Sequence, residues 1–394
     1  MCLGFGAEGL RCGTDALRAD PVALGAGLGA AAQYGKVSVI FDLLPDAYPD
    51  AGAAVGWIVS LVGFVGIIFG VMAGLVVARI RYRRALLGAL WAGAAVSCLQ
   101  ALLPPLSWML FARVIEGASH LAIVVAAPTL IAQLSAEKDR GLTLTLWGTF
   151  FGVAFAILAF AGRPLALSLG LPALFLAHGA YMAVFAMILS ARLRALPDEG
   201  PQPPFSVPQI LRDHGTIYRS PFISAPAAGW LFYTFSFVSI LTVLPPYIDP
   251  AIRATIMTAM PLMSIAVSMT FGVLLLRTLS AVQVVMTGFG LSALCMVWLW
   301  WSPGAPLACL ALAGAMGLIQ GASFAAVPQL NATPATQAQA NGAMAQMGNI
   351  GNTLGTPVMA FGLIHAGYNT LPVLAGMAFV LGLTLHLVLA RLRD

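Results

Sequence analysis

The chain has 394 residues, of which 60% are hydrophobic and 8% are charged. Soluble globular domains carry about 25% charged residues, so this composition excludes a soluble enzyme, a nucleic-acid-binding protein and a disordered protein. A membrane protein with many spans remains, because apolar stretches of membrane-crossing length recur along the whole sequence.

Twelve such stretches are present, and each is long enough to cross a hydrocarbon core of about 30 Å as a helix. The alternating pattern of a membrane β-barrel is not found. We therefore predict an all-α membrane protein with twelve transmembrane helices. The spans, numbered 1–12, are predicted at 21–44, 53–78, 85–104, 106–134, 141–162, 165–190, 221–246, 250–276, 279–301, 305–331, 338–365 and 370–390.

The basic residues indicate how the chain is oriented. If both termini are cytoplasmic, only Arg163 and Arg253 lie in outer loops, while Lys36 and Arg113 lie within spans. All other basic residues then face the cytoplasm, as the positive-inside rule requires. We expect a multi-pass protein of a bacterial-type inner membrane with both termini inside.

The chain divides near its middle. Residues 191–220 are rich in proline and charge, which is typical of a linker. They separate a six-helix bundle at 21–190 from a second one at 221–394, and residues 1–20 form a cytoplasmic N-terminal segment.

An internal repeat supports two pseudo-symmetric six-helix bundles. Similar segments recur about 200 residues apart: IEGASH at 115–120 and IQGASF at 319–324, Gly74–Arg79 and Gly272–Arg277, and Gly148 and Gly348. Parallel repeats around a cavity at mid-membrane are the architecture of secondary transporters with alternating access.

Charged side chains inside the membrane are costly and are therefore functional candidates. Span 1 carries Lys36, with Asp42 at its outer end. Span 4 carries Arg113, Glu116 and His120, which share one helix face with Gly117 because residues three and four apart are neighbours.

Lys36 and Arg113 are predicted at a similar depth, about 10–12 Å below the outer surface. Glu116 could then serve both as a shared counter-ion, which leaves one surplus positive charge. This arrangement suggests a site that attracts an anion, or one where Glu116 takes a proton during transport. The alternatives are a structural Arg113–Glu116 pair that holds span 4 in place and a Lys36 side chain that snorkels to the outer surface.

Uncharged polar side chains are weaker candidates. Gln33 precedes Lys36 by one turn, and Asn349 and Asn352 lie on one face of span 11. Amides of this kind can bind a polar solute or join helices to each other. The same two alternatives apply to Asn341, Gln346, Gln320 and Gln329, and the span 7 aromatics Trp230, Phe232, Tyr233, Phe235 and Phe237 favour packing or lipid contact over a binding wall.

No catalytic motif, P-loop or metal-ligating set is present in the sequence. We therefore predict that the protein is not an enzyme and needs no cofactor or metal. Without a P-loop, an ion gradient is the expected energy source.

The loop after span 2 resembles the signature of the major facilitator superfamily, Gly-x-x-x-Asp-Arg-x-Gly-Arg-Arg. In the segment GLVVARIRYRR, Gly74, Arg79 and Arg83 match, while Ala78 and Arg81 replace the Asp and Gly. The resemblance implies that this is a gating loop. The resemblance to the superfamily also includes the twelve spans, the two halves and the basic central loop.

Span 4 resembles the family signature Arg-x-x-Gln-Gly through Arg113, Glu116 and Gly117. In the family this arginine is tied to proton coupling, so the resemblance implies the same for Arg113. The antiporter signature of span 5 is incomplete, because Gly148 and Gly152 fit but Val153 stands in place of proline. This departure argues against a drug/proton antiporter.

We predict a monomeric secondary transporter that moves a small organic solute, an anion being one candidate, with the proton as coupling ion. Its other partner is the lipid bilayer, and nucleic acid is not expected. The alternatives are a drug/proton efflux antiporter and, from another class, a non-transporting membrane sensor or scaffold.

Overall fold

The computed structural model describes residues 24–135, 140–193 and 207–393, and in these ranges it contains helices and no strand. The N-terminal segment predicted at 1–20 and part of the linker lie outside the described residues. Each predicted span has its own helix, and we name these helices α1–α12 in chain order.

The first half contains six helices and a short outer connection. The helices are α1 (24–38), α2 (Pro49–Ile80), α3 (Tyr82–Gln100), α4 (Leu106–Leu134), α5 (Arg140–Gly148 and Phe150–Leu169) and α6 (Leu171–Arg192). Two short helices, Phe41–Leu43 and Leu44–Ala47, connect α1 to α2.

The second half repeats this pattern after a linker helix at Val207–Arg219. Its helices are α7 (Ser224–Val243), α8 (Arg253–Leu275), α9 (Ala281–Trp301), α10 (Pro306–Leu330), α11 (Pro334–Ala366) and α12 (Thr370–Arg391). Below, "the linker end" is the membrane side that carries the linker helix, and "the Asp42 end" is the opposite side.

Among the described residues, nine helices are long and apolar enough to cross a membrane by length and composition. The other three are α1, α3 and α11. The description of α1 starts only at residue 24, and α3 and α11 are rich in alanine, glycine and polar residues, which lowers their mean hydropathy.

Two predicted boundaries are wrong. Span 1 was expected to run to residue 44, but α1 ends at residue 38. The α5–α6 turn was expected at residues 163–164, but it lies at Gly170, whose φ of +85° suits a residue without a side chain. Pro164 is tolerated within α5 because it sits in the first turn of a new helical segment, directly after a π-helical turn at Leu158–Gly162.

The two halves have the same internal packing. In the first half α3 contacts α4 and α6, and in the second half α9 contacts α10 and α12. The repeated glycines occupy equivalent places: a methyl group on Gly117 of α4 would lie 2.3 Å from the Val62 carbonyl of α2, and one on Gly321 of α10 would lie 2.2 Å from the Ser268 hydroxyl of α8. The molecule is thus built from two pseudo-symmetric six-helix bundles.

The halves meet along two helix pairs that the pseudo-symmetry relates, α2 with α11 and α5 with α8. The first contact is close-packed, because Gly56 of α2 lies against the Pro357 backbone and Gly70 against the Gln346 backbone. In the second, α5 contacts α8 through Phe150–Gly162 and Arg253–Val267. Nearer the Asp42 end, the Ser38 and Thr242 hydroxyls hydrogen-bond at 2.6 Å between α1 and α7.

Candidate functional site

Lys36 is fully buried on α1, and its ammonium group has a complete set of acceptors. Its Nζ donates to Glu116 Oε1 at 2.6 Å, to Ser97 Oγ at 2.6 Å and to Gln100 Oε1 at 2.8 Å. These three bonds use all three N–H groups of the ammonium. The side chain is therefore held in a polar site within the bundle and does not snorkel to the surface.

Glu116 is the shared counter-ion of two cations, the geometry predicted from the depths of Lys36 and Arg113. Glu116 Oε1 pairs with Lys36 and Oε2 pairs with Arg113 Nη1, and both partners are fully buried. Gln100 Nε2 adds a hydrogen bond to Oε2 at 2.8 Å. Two cations and one carboxylate give the site a formal charge of +1.

Arg113 also connects three helices. Its Nε donates to the Ile58 carbonyl at 2.6 Å, and Nη2 donates to the Gln33 carbonyl at 2.7 Å and the Val59 carbonyl at 3.2 Å. The α4 guanidinium thus binds the backbone of α1 and α2.

His178 of α6 completes the network, although no sequence pattern predicts a role for it. Its Nδ1 lies 2.8 Å from Ser97 Oγ and 3.2 Å from Lys36 Nζ, and its Nε2 lies 3.0 Å from the Gly29 carbonyl. This pattern fits a neutral ring that accepts at Nδ1 and donates from Nε2. The only sequence signal was a polar residue in an apolar span, because the sequence does not reveal that α6 lies beside α1 and α3.

We call Lys36, Ser97, Gln100, Arg113, Glu116 and His178 the charge cluster. Its hydrogen-bond partners among the described residues all belong to α1–α4 and α6, so the cluster lies inside the first bundle. The side of α1 that carries Tyr34 and Ser38 faces the second half instead.

Two further predicted residues border the charge cluster without joining it. Gln33 Nε2 donates to Ser119 Oγ at 2.9 Å. His120 Nδ1 lies 2.9 Å from the Ala30 carbonyl, and its ring meets Tyr34 edge-on with centroids 5.1 Å apart. His120 therefore lies between the charge cluster and the interface of the halves.

The predicted amides of α11 have different environments. Asn349 Nδ2 donates to the Ala345 carbonyl of its own helix at 2.7 Å, whereas Asn352 Oδ1 is buried without a hydrogen-bond partner in the described part of the chain. Gln346 joins elements, because its Nε2 donates to the Ile67 carbonyl of α2 and its Oε1 accepts from Tyr218 of the linker helix. Partial burial raises the pKa of Tyr218 to about 12, so this phenol stays a donor at neutral pH.

An aromatic array, which includes part of the span 7 cluster, crosses the interface between the halves. Neighbouring ring centroids are 4.7–6.5 Å apart, and Phe237 of α7 lies 6.3 Å from Phe151 and 6.1 Å from Phe155 of α5. At one end of the array Trp230 is half-buried and Phe324 is 48% exposed. The array consists of Tyr34, His120, Trp147, Phe150, Phe151, Phe155, Trp230, Tyr233, Phe237 and Phe324.

The predicted gating loop keeps one feature of the signature it resembles. Arg81 stands where the signature has glycine, and its φ of +79° is a conformation that glycine adopts easily. Gly74 has open space around its α-carbon. The loop lies at the linker end, between α2 with Arg79 in its last turn and α3 with Arg83 in its first.

At the Asp42 end the two halves leave two shallow clefts of about 310 and 220 Å³. Asp42 borders the larger one and Arg163 the smaller one, and the two side chains form a bidentate ion pair at 2.6 and 2.8 Å. The remaining lining residues of both clefts are mostly apolar.

Comparison with known proteins gives one partial likeness in sequence and one likeness in fold over nearly the whole chain. Over 123 residues the chain is 30% identical to the inner membrane transport protein YajR of Escherichia coli (strain K12), an alignment that covers 31% of this chain and 27% of YajR. The fold is similar to the crystal structure of FucP, a major facilitator superfamily transporter in the outward conformation. That likeness has a TM-score of 0.67 and 16% identity, over 95% of this chain and 99% of FucP.

A family model also matches most of the chain. Residues 23–356 match the Major Facilitator Superfamily, which is more than half of the chain. The twelve-helix fold agrees with that match. The chain is a multi-pass membrane protein and belongs to the major facilitator superfamily.

Proposed function

We propose that this protein is a proton-coupled secondary transporter that moves a small organic solute by alternating access between its two halves. Membership of the superfamily supports transport, and the charge cluster carries the proposal of proton coupling. Three ionisable groups are fully buried in the membrane region, where charged side chains are costly and are kept for function.

Coupling would work through the contacts of Arg113. Loss of the Lys36 proton, or protonation of Glu116, changes the charge balance around the guanidinium. Arg113 holds α1 and α2 to α4 through backbone carbonyls, and α2 packs along α11 of the other half. A proton that enters or leaves the cluster would thereby change how the halves fit together.

The surplus positive charge was the reason to expect an anionic solute. That charge is enclosed by helices of the first bundle, and its hydrogen bonds end on Glu116, side chains and backbone carbonyls. It gives the solute no contact at the interface between the halves. We therefore leave the solute's charge out of this proposal.

A drug/proton antiporter is the second candidate, since the aromatic array offers an apolar surface between the halves. This candidate requires the solute and the proton to cross the membrane in opposite directions. We also propose that the Asp42 end faces outward and that both termini are cytoplasmic, in accord with the distribution of basic residues.

The test begins with a thermal-shift screen of the purified chain against organic anions, cations and neutral compounds. The best stabilising compound is then radiolabelled and measured in proteoliposomes, first in counterflow and then with an imposed pH gradient. We expect counterflow without a gradient and accumulation only with one. Lys36→Met and Glu116→Gln should abolish accumulation and retain counterflow.

A matched control is Gln320→Leu, which changes the repeat position of Glu116 in the second half. It should leave the dependence on the pH gradient unchanged. If the labelled compound shows no counterflow, the transport proposal fails. If accumulation by both cluster variants equals that of the unmodified protein, the charge cluster is not the coupling site.

A further inference from the structure

A group of buried oxygens without partners lies where α1, α2 and α11 meet. Tyr34 OH, Asn352 Oδ1 and Thr353 Oγ1 have no hydrogen-bond partner in the described part of the chain. The Tyr34 hydroxyl and the Asn352 side chain are direct neighbours. We call these three residues the seam. Buried oxygens are normally paired, so three unpaired ones together indicate an absent partner.

Gly63 of α2 allows the seam residues to approach its backbone closely. A methyl group on Gly63 would lie 2.3 Å from Thr353 Oγ1 and 2.8 Å from Tyr34 OH, so both oxygens pack closely against the same point of α2. Tyr34 belongs to the first half and Thr353 to the second. Separation of the halves in alternating access would therefore part these two oxygens and create room between them.

The seam adjoins the aromatic array, because Tyr34 belongs to both. The Tyr34 ring lies 5.8 Å from Phe151, which continues to Phe237 of the second half. These residues combine ring faces for stacking with oxygens for hydrogen bonding. In the described chain, neither the array nor the seam includes Asp, Glu, Lys or Arg.

The cations of the charge cluster make their hydrogen bonds away from this surface, and Arg113 acts on Tyr34 only as a nearby charge. Lys36 and Tyr34 lie on different faces of α1, and the cations of the cluster are paired with Glu116. An anion at the seam would lose its hydration without forming a direct ion pair, and an organic cation would gain no carboxylate. Binding of either ion would therefore cost more free energy than binding of a neutral molecule.

We propose that the solute of this transporter is a neutral ring compound that carries O–H or N–H donors. Its ring packs on the aromatic array, and its donors bind Asn352 Oδ1 and the hydroxyl oxygens of Tyr34 and Thr353. This inference rests on the proposed function, which places the solute between the halves.

The probes are benzamide and 2-naphthamide, each compared with its carboxylate, its N,N-dimethylamide and the corresponding trimethylammonium compound. Binding to the purified full chain is measured by thermal shift and by quenching of tryptophan fluorescence. The primary amides should bind best, by about three- to tenfold over the dimethylamides, which have the same ring and carbonyl but no N–H donor. Equal or tighter binding of a carboxylate, a trimethylammonium compound or a dimethylamide would overturn the proposal, as would no binding by either primary amide.

Variants of the seam locate the site. Tyr34→Phe and Thr353→Val should each weaken binding of the primary amides several-fold and leave the dimethylamides unchanged. The control is Tyr181→Phe, because the Tyr181 hydroxyl donates to the Gly25 carbonyl within the first bundle. This variant should bind the primary amides and the dimethylamides like the unmodified protein. If both seam variants bind the primary amides like the unmodified protein, the seam is not the binding site.

The outcome separates this inference from the proposed function. Tight binding of the primary amides without proton-driven accumulation would contradict the proposed coupling and support the solute class. Proton-driven accumulation of a carboxylate would support the coupling and overturn the solute class.

Discussion

One helix supplies two buried polar regions of opposite character. One face of α1 places Lys36 in the charge cluster, where the ammonium and the carboxylate are fully hydrogen-bonded. The other face places Tyr34 in the seam, where three oxygens have no partner in the described chain. A saturated buried network fixes helices relative to each other, whereas unpaired oxygens mark a place where something else binds.

The internal repeat shows the same contrast. IEGASH of α4 and IQGASF of α10 differ at Glu116 against Gln320 and at His120 against Phe324. Glu116 balances two buried cations, while Gln320 makes one long contact of 3.5 Å to the Gly148 carbonyl. The halves share a fold, but the first carries the charge cluster, whereas the second has an uncharged amide, Gln320, at the repeat position of Glu116.

Replacement of Glu116 by Gln should have the largest effect on stability. The change leaves Lys36 and Arg113 buried without a counter-ion, and an uncompensated buried charge costs about 3–5 kcal/mol. The free energy of unfolding, followed by thermal melting in detergent, should fall by that amount. Gln320→Leu at the repeat position should cost less than about 1 kcal/mol. Equal losses would mean that the repeat positions do not differ as the structure indicates.

Lys36→Met should cost less than Glu116→Gln. Without the ammonium, Arg113 and Glu116 remain as a neutral pair, so the loss is confined to hydrogen bonds of Glu116, Gln100 and Ser97, about 2–3 kcal/mol. Thermal melting of both variants under identical conditions shows which substitution lowers the free energy of unfolding more. If Lys36→Met is the more destabilising variant, charge balance is not what stabilises the cluster.

Much of the fold and part of the cluster could be predicted from the sequence. Apolar length predicts the spans, and depth along spans 1 and 4 predicts that Lys36 and Arg113 share Glu116. His178 could not be assigned, because its role depends on which helices are neighbours. The sequence also could not predict which face of α1 turns to the bundle interior and which to the other half. Both surroundings are largely apolar, so the apolar pattern does not determine how the helix is rotated about its axis.

Ser97→Ala should have a smaller effect within the same cluster. The hydroxyl accepts from Lys36 at 2.6 Å and donates to His178 Nδ1, so its removal leaves one donor and one acceptor unpaired. We expect a loss of about 1–2 kcal/mol in the free energy of unfolding. Cys98→Ala, at the next residue on α3, is the control and should change the melting temperature little. An unchanged melting temperature for Ser97→Ala would show that His178 and Lys36 do not depend on this hydroxyl.

Thr353→Val should have the smallest effect, and its sign separates the seam from the cluster. The substitution replaces a buried, unpaired hydroxyl by a methyl group of similar size, so stability should stay equal or rise by up to about 1 kcal/mol. Thr242→Val is the matched control on α7, because its hydroxyl bonds to Ser38 at 2.6 Å and to the Val238 carbonyl at 2.6 Å; it should lose about 1 kcal/mol. If Thr353→Val loses as much as Thr242→Val, the Thr353 hydroxyl already has a partner and the seam is as saturated as the charge cluster.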